Sequence, residues 1–253
     1  MNFYPLASSS KGNAYLVTTD DAALLVDCGL SGREFHKRIA EALGADGARV
    51  LESLAGVLIT HDHTDHIGGL KAFLKRYDVP VFANFLTAEA TAAATGLALD
   101  VFTEFENGEE FEVGPFTVHP FSIPHDTPDP VGYTITAGGE TYFHGTDIGT
   151  PLASIGRELR RATAATLESN HDIELLLKSG RAPSLIERIR GPRGHLSNDD
   201  ACELVKEYAS PRLKRLILAH LSHDCNLPEL AEGEMRRTLR EMGRGDIALE
   251  VAR

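Results

Sequence analysis

Apolar residues along this chain gather in short runs rather than long stretches. AYLVTT, AALLVDCG, AGVLITHDH, PVFAN, FTVHPFSIP, VGYTIT, TYFHG, RLILAH and IALEVA are mostly bounded by Gly, Pro, Asp or Asn. Each reads as a β-strand ended by a turn. Between them the apolar spacing changes to the helical period and predicts helices over residues 33–43, 67–76, 88–95, 198–208 and 228–242, the fourth capped by Ser197 or Asn198. The string AGGE at 137–140 joins VGYTIT to TYFHG as a two-residue hairpin, so part of the sheet is antiparallel. Strands and helices alternate over the whole length with no long linker and no short-period repeat. The pattern therefore predicts one α/β domain over residues 1–253, layered and mixed rather than purely parallel.

Composition narrows the setting. In 253 residues there is no apolar run of the roughly 18 needed to cross a membrane, and no basic start followed by an apolar stretch. A cytoplasmic, non-membrane protein is the expectation. Cys28, Cys202 and Cys225 lie far apart without a CxxC spacing, which argues against a disulfide framework or a thiolate metal site and for reduced, buried thiols. The formal net charge of -12 works against a polyanionic partner over the surface as a whole. One stretch departs from it: residues 178–193 carry Lys178, Arg181, Arg188, Arg190 and Arg193 against Glu187 alone. Such a run is either a solvated helix face or a local seat for phosphate.

The chemistry concentrates in THDHTDH at 60–66, directly behind the apolar run AGVLI. Side chains at a strand end sit on stiff backbone, which a metal site requires. His61 and His63 alternate out of the turn while Asp65 and His66 face a second point, so one motif can feed two ions about 3.5–4 Å apart. Two ions need more ligands than four, and other strand ends offer them: His125 after FSIP, Asp147 after TYFHGT and His220 after RLILA. Asp147, with two carboxylate oxygens, is the natural bridge. His223 is the rival to His220, whereas His36, His119, His144 and His171 lack one or more of these features, and His36, on a helix, and His119, inside a strand, read as structural residues.

THDHTDH, the isolated His125, GTDIG around Asp147 and the AH at 219–220 together resemble the metallo-β-lactamase fold superfamily, over nearly the whole chain. The resemblance implies an αββα sandwich of two mixed sheets flanked by helices. It implies that His61, His63 and His125 hold one ion, that Asp65, His66 and His220 hold the other, and that Asp147 is shared. It also implies that Asp27, in VDCG, buttresses the metal loop without being a ligand. The ions are two divalent metals, for which His/Asp ligation suits Zn²⁺, Mn²⁺ or Fe²⁺.

The superfamily hosts many hydrolases, so residues beyond the ligands must choose among them. LESNHD with Glu168, then RGHLSND with His195, then His220, follow an order similar to that of the tRNase Z and RNase J branches. There the non-metal histidine contacts the scissile phosphate and protonates the leaving oxygen, and the acid orients it. Asp147 and Asp65 are expected to orient the attacking water. LASSSKGN, NHD, GHLSND and LAHLSHDCN resemble the small bacterial YycJ/WalJ group, which implies a DNA 5′-exonuclease. Substrate contacts are expected from Ser9, Ser10, Lys11 and Asn13 of the SSSKGN turn, from Asn170, and from Arg193 and Ser197 around His195. The alternatives are a small-molecule metallo-hydrolase of the same fold (phosphodiesterase, lactonase or thioesterase) and a metal-dependent binding protein. The sequence gives no oligomeric state.

Overall fold

The computed structural model describes residues 1–252. In chain order the strands and helices begin β1 Asn2–Ser9, β2 Gly12–Thr18, β3 Ala23–Val26, α1 Gly32–Leu43, α2 Gly47–Glu52 and β4 Leu54–Leu58. They continue with α3 Thr64–Ile67, α4 Leu70–Leu74, β5 Val81–Ala83, α5 Phe85–Thr95, β6 Phe102–Glu104, β7 Phe111–Val113 and β8 Phe116–Ser122. Then come β9 Val131–Ala137, β10 Glu140–Gly145, α6 Ala153–Leu159, β11 Ala164–Glu168, α7 Ile173–Lys178 and α8 Pro183–Arg190. The last are α9 Asn198–Tyr208, β12 Arg215–Ala219, α10 Pro228–Glu241 and β13 Ala248–Val251. The strands form two mixed sheets, one of six ordered β1-β2-β3-β4-β5-β6 and one of seven ordered β13-β12-β11-β10-β9-β8-β7. Two mixed sheets flanked by helices are the content of an αββα sandwich.

The chain divides into two compact units, residues 1–120 with 127–131, and residues 121–126 with 132–252. In the first, Leu16, Leu25, Val57 and Ile59 of the sheet pack against Phe35 and Ile39 of α1, Leu70 and Phe73 of α4, and Ala88 of α5. In the second, Phe143, Leu167, Leu216 and Leu218 pack against Ile155 and Leu159 of α6, Val205 of α9, and Met235 and Leu239 of α10. These helical positions recur at three- and four-residue spacing, which is why the sequence period marks them.

The hairpin cue holds: Ala137 pairs with Glu140, and Gly138 and Gly139 take φ of 57° and 80°, as a primed two-residue turn demands. Ser197 closes α9 with a full capping box to Asp200. The single helix expected over 67–76 is instead two short helices broken at Gly68 and Gly69. A side chain on Gly69 would collide with the backbone oxygen of Leu30, so close chain approach fixes the glycine. β1 carries Pro5 and escaped the strand reading; it is an edge strand with a register shift beside the proline, where the missing donor does little harm.

Leu216 is fully buried at the centre of the second core. Leu216→Ala is expected to lower the unfolding free energy by about 2–5 kcal/mol, measured by urea denaturation of metal-free protein. A loss below about 1 kcal/mol would contradict its place in that core.

Candidate metal centre

In the first unit, the loop after β4 carries His61, His63, Asp65 and His66, and its geometry is set from the end of β3. Asp27 there is fully buried and takes a left-handed backbone, φ 60°. Its carboxylate accepts from the Thr60 backbone N–H (2.9 Å), the Thr60 hydroxyl (2.9 Å) and His66 Nδ1 (2.7 Å). The Thr60 proton is given to Asp27, so Thr60 Oγ1 accepts from His61 Nδ1 at 2.9 Å. Both imidazoles are thereby fixed with Nδ1 protonated, and Nε2 carries the lone pair. A backbone bond from Cys28 N to His66 O, 2.7 Å, closes the loop onto β3. The rings cluster, with His61 4.0 Å from His66 and 4.8 Å from His63 between centroids.

In the second unit, β10, β11 and β12 are adjacent and parallel, with Gly145 opposite Leu167 and Glu168 opposite Ala219. This register brings Asp147, Glu168 and His220 to the same carboxyl edge of the sheet, where α/β proteins place ligands. Asp147, Glu168, His195 and His220 each offer a donor atom, all within 4.8 Å of one another. Glu168 is fully buried and organises the group. Its Oε1 accepts from His195 Nδ1 (2.8 Å) and His220 Nδ1 (3.0 Å), and its Oε2 from the backbone N–H of Ile148 (2.7 Å) and Leu196 (3.1 Å). His125 donates Nδ1 to the Gly194 carbonyl at 3.0 Å, and its Nε2 stands 3.7 Å from Asp147. Every candidate imidazole with a resolved partner is thus tied at Nδ1, the arrangement seen when Nε2 ligates a metal. Two clusters of largely buried histidines and carboxylates, without a thiolate, fit divalent cations by donor chemistry.

Electrostatics follow the same contacts. Burial alone would raise the Glu168 carboxyl, but the two imidazoles beside it hold it well below the usual carboxylate range. Burial opposes charge on His195, yet Glu168 and then Asp147 raise it above an ordinary histidine. Burial pushes His125 down, favouring the neutral ring a ligand needs. Cys28, beside Asp27, is pushed up to about 12 by burial and then by that carboxylate, and all three cysteines are buried free thiols.

Three expected substrate contacts, Asn13, Asn170 and Ser197, are buried, whereas Arg193 is exposed. The Asn13 side chain, fully buried, points to Asp65 and His66. Asn170 donates to the His220 carbonyl, Ser197 is spent capping α9, and Arg193 donates to the His125 carbonyl at 2.6 Å. Ser10 and Lys11 are exposed at the β1–β2 turn and Ser9 is half-buried. Three cations of the basic run face acids: Lys178 with Glu174, Arg181 with Asp224 and Arg188 with Asp126. His223 is 84 % exposed beside Asp224, away from the cluster that holds His220. His36 bonds Tyr77, His144 and His171 are buried, and His119 lies within β8. Sequence reading missed Thr60 as the hinge of the histidine network, although its position between strand and first histidine was a signal. It also missed Gly149 and Gly194. A Cβ at Gly149 would strike Arg193 and Pro192, so the loop bearing His195 lies directly on the loop bearing Asp147.

The Beta-lactamase superfamily domain pattern matches residues 23–221, a segment that runs through both units. The chain is 36 % identical over 247 residues to exodeoxyribonuclease YycJ of Bacillus anthracis, covering 97 % of this chain and 91 % of that protein. It is 32 % identical over 249 residues to exodeoxyribonuclease WalJ of Streptococcus pneumoniae, covering 97 % and 90 %. Among solved structures, the metallo-β-lactamase fold protein YhfI of Bacillus subtilis superposes with a TM-score of 0.73 at 18 % identity, covering 99 % of this chain and 95 % of that one. Sequence pattern, relatives and fold agree, and the chain belongs to the metallo-β-lactamase fold superfamily.

Proposed function

We propose that this protein is a dinuclear metal-dependent phosphodiesterase that degrades DNA from a 5′ end in the cytoplasm. One observation carries the reading: His195 is held by Glu168 at 2.8 Å with its Nδ1 3.6 Å from Asp147, an imidazole outside the seven ligand candidates but next to one of them. A hydrolase of an activated ester has little use for such a group, whereas departure of an alkoxide from a phosphodiester gains from a positioned acid. Full-length likeness to relatives named exodeoxyribonucleases supports the DNA substrate.

In this proposal His61, His63 and His125 hold one ion, Asp65, His66 and His220 the other, and Asp147 both. The ions, Zn²⁺, Mn²⁺ or Fe²⁺ by donor type, would lower the pKa of a water and screen charge on the phosphoryl oxygens. The chain's own contribution is positional. Asp65 and Asp147 orient the water, and His195, at 22 % side-chain exposure, protonates the leaving oxygen. Glu168, fully buried, reaches no substrate; it sets the orientation of His195 and His220 together. Ser9, Ser10, Lys11 and exposed Arg193 would meet a phosphate backbone, while buried Asn13, Asn170 and Ser197 serve the site from within. Free, buried cysteines suit a reducing compartment. Among the described residues no helix is long and apolar enough to cross a membrane.

His195→Ala is expected to keep both ions and the fold while turnover falls by about 10² to 10⁴. Parental DNA hydrolysis by that variant would remove His195 from the mechanism. Chelator treatment should abolish activity, with recovery on adding back a divalent metal. The substrate itself is tested with end-labelled single- and double-stranded DNA and RNA beside a generic phosphodiester and a lactone. Turnover of a small ester with every nucleic acid left intact would overturn the nuclease reading in favour of a small-molecule hydrolase.

A further inference from the structure

Asn13 is a polar residue placed where a strand pattern expects none to matter. It is the second residue of the wholly buried strand β2, and it is fixed from four directions. Its backbone carbonyl accepts from Gly29 N at 2.9 Å. Its side-chain oxygen accepts from Ser9 N at 3.2 Å and lies 3.4 Å from the Tyr15 hydroxyl, which in turn bonds Ser8 at 2.7 Å. Its side-chain nitrogen donates to the Ser9 carbonyl at 3.0 Å. Because Ser9 offers a donor to one end of the amide and an acceptor to the other, the orientation of the amide is settled. The nitrogen therefore faces Asp65 Oδ2 and His66 Nε2, each at 3.0 Å.

Those two atoms are both acceptors and stand 3.6 Å apart. His66 Nδ1 is already committed to Asp27, so its Nε2 presents a lone pair toward a carboxylate. A single N–H donor set between them converts repulsion into a shared bridge. The backbone allows no slack: a Cβ on Gly29 would meet Asp65 O and lie 2.8 Å from Asn13 N, so hairpin, β3 loop and metal loop touch along their main chains.

We propose that Asn13 is a positioning residue for one metal ion: its amide aligns the Asp65 carboxylate and the His66 imidazole with each other before the ion arrives. The proposal rests on the ligand assignment above and deepens it by separating the two ions. Asn13 reaches the ligands of one and, in the first unit, makes no hydrogen bond to His61 or His63 of the other. The SSSKGN turn then has two functions, exposed Ser10 and Lys11 outward and Asn13 inward.

The test is a Zn²⁺ titration of metal-free protein against a chromophoric chelator, with no substrate present. The parent should take up two ions. Asn13→Ala should bind one with parental affinity and the other about 10- to 100-fold more weakly, the usual effect of removing a group that orients a metal ligand. Parental affinity for both ions would overturn the proposal, and so would an equal loss at both, which marks a purely structural residue. Should the variant not fold, the parent suffices: in ¹⁵N spectra the Asn13 side-chain amide should shift with one of the two Zn²⁺ equivalents, and an amide that ignores both overturns the proposal. A parent that binds two ions yet leaves DNA intact would sink the nuclease reading alone.

Discussion

Two buried carboxylates determine which nitrogen four imidazoles of the site offer. Asp27 accepts from His66 Nδ1 directly and orients the Thr60 hydroxyl that accepts from His61 Nδ1, and Glu168 accepts from His195 and His220. A buried carboxylate costs several kcal/mol by desolvation unless it is surrounded by donors, and both are. Glu168 has four, two of them main-chain N–H groups that cannot move away. The histidines thus stabilise the buried charge and are oriented by it, so the polar interior of the site is folded structure first and chemistry second.

Backbone strain gathers at the same positions. Among the described residues Asp27, Asp147 and His220 are the non-glycine residues with positive φ, between 56° and 60°. Each directly follows a strand or its one-residue extension, where the chain must turn sharply to aim a side chain along the sheet edge. A left-handed residue costs roughly 1–2 kcal/mol, least for Asp, and persists only where surrounding contacts enforce it. Three such residues, all in the clusters of donors or buttressing them, are a physical trace of function that needs no comparison with relatives.

Much of the fold was legible because it is locally encoded. The apolar runs, the Gly-Gly hairpin and the helix from Asn198 to Tyr208 emerged with correct limits or nearly so. What escaped has identifiable causes. β11, whose sequence is AATLE, is mostly small residues with no apolar alternation, yet it delivers Glu168. The helices α6, α7 and α8 are six to eight residues long, too short for the period to declare itself. The basic run was visible as charge, but whether its members face phosphate or carboxylate depended on Glu174, Asp126 and Asp224, the last two distant in sequence.

The sequence by itself marked the candidate donors: four of the five acids and histidines within THDHTDH, and single ones at the ends of other apolar runs, since strand ends and turn residues are short-range signals. Only the tertiary structure decided how each donor is aimed. His66 meets Asp27 across 39 residues, His220 meets Glu168 across 52, His125 meets Gly194 across 69, and Asn13 meets Asp65 across 52. Hydrogen-bond direction depends on ångström-scale placement of partners brought together by sheet register and loop contact, and no local pattern of residue types contains it.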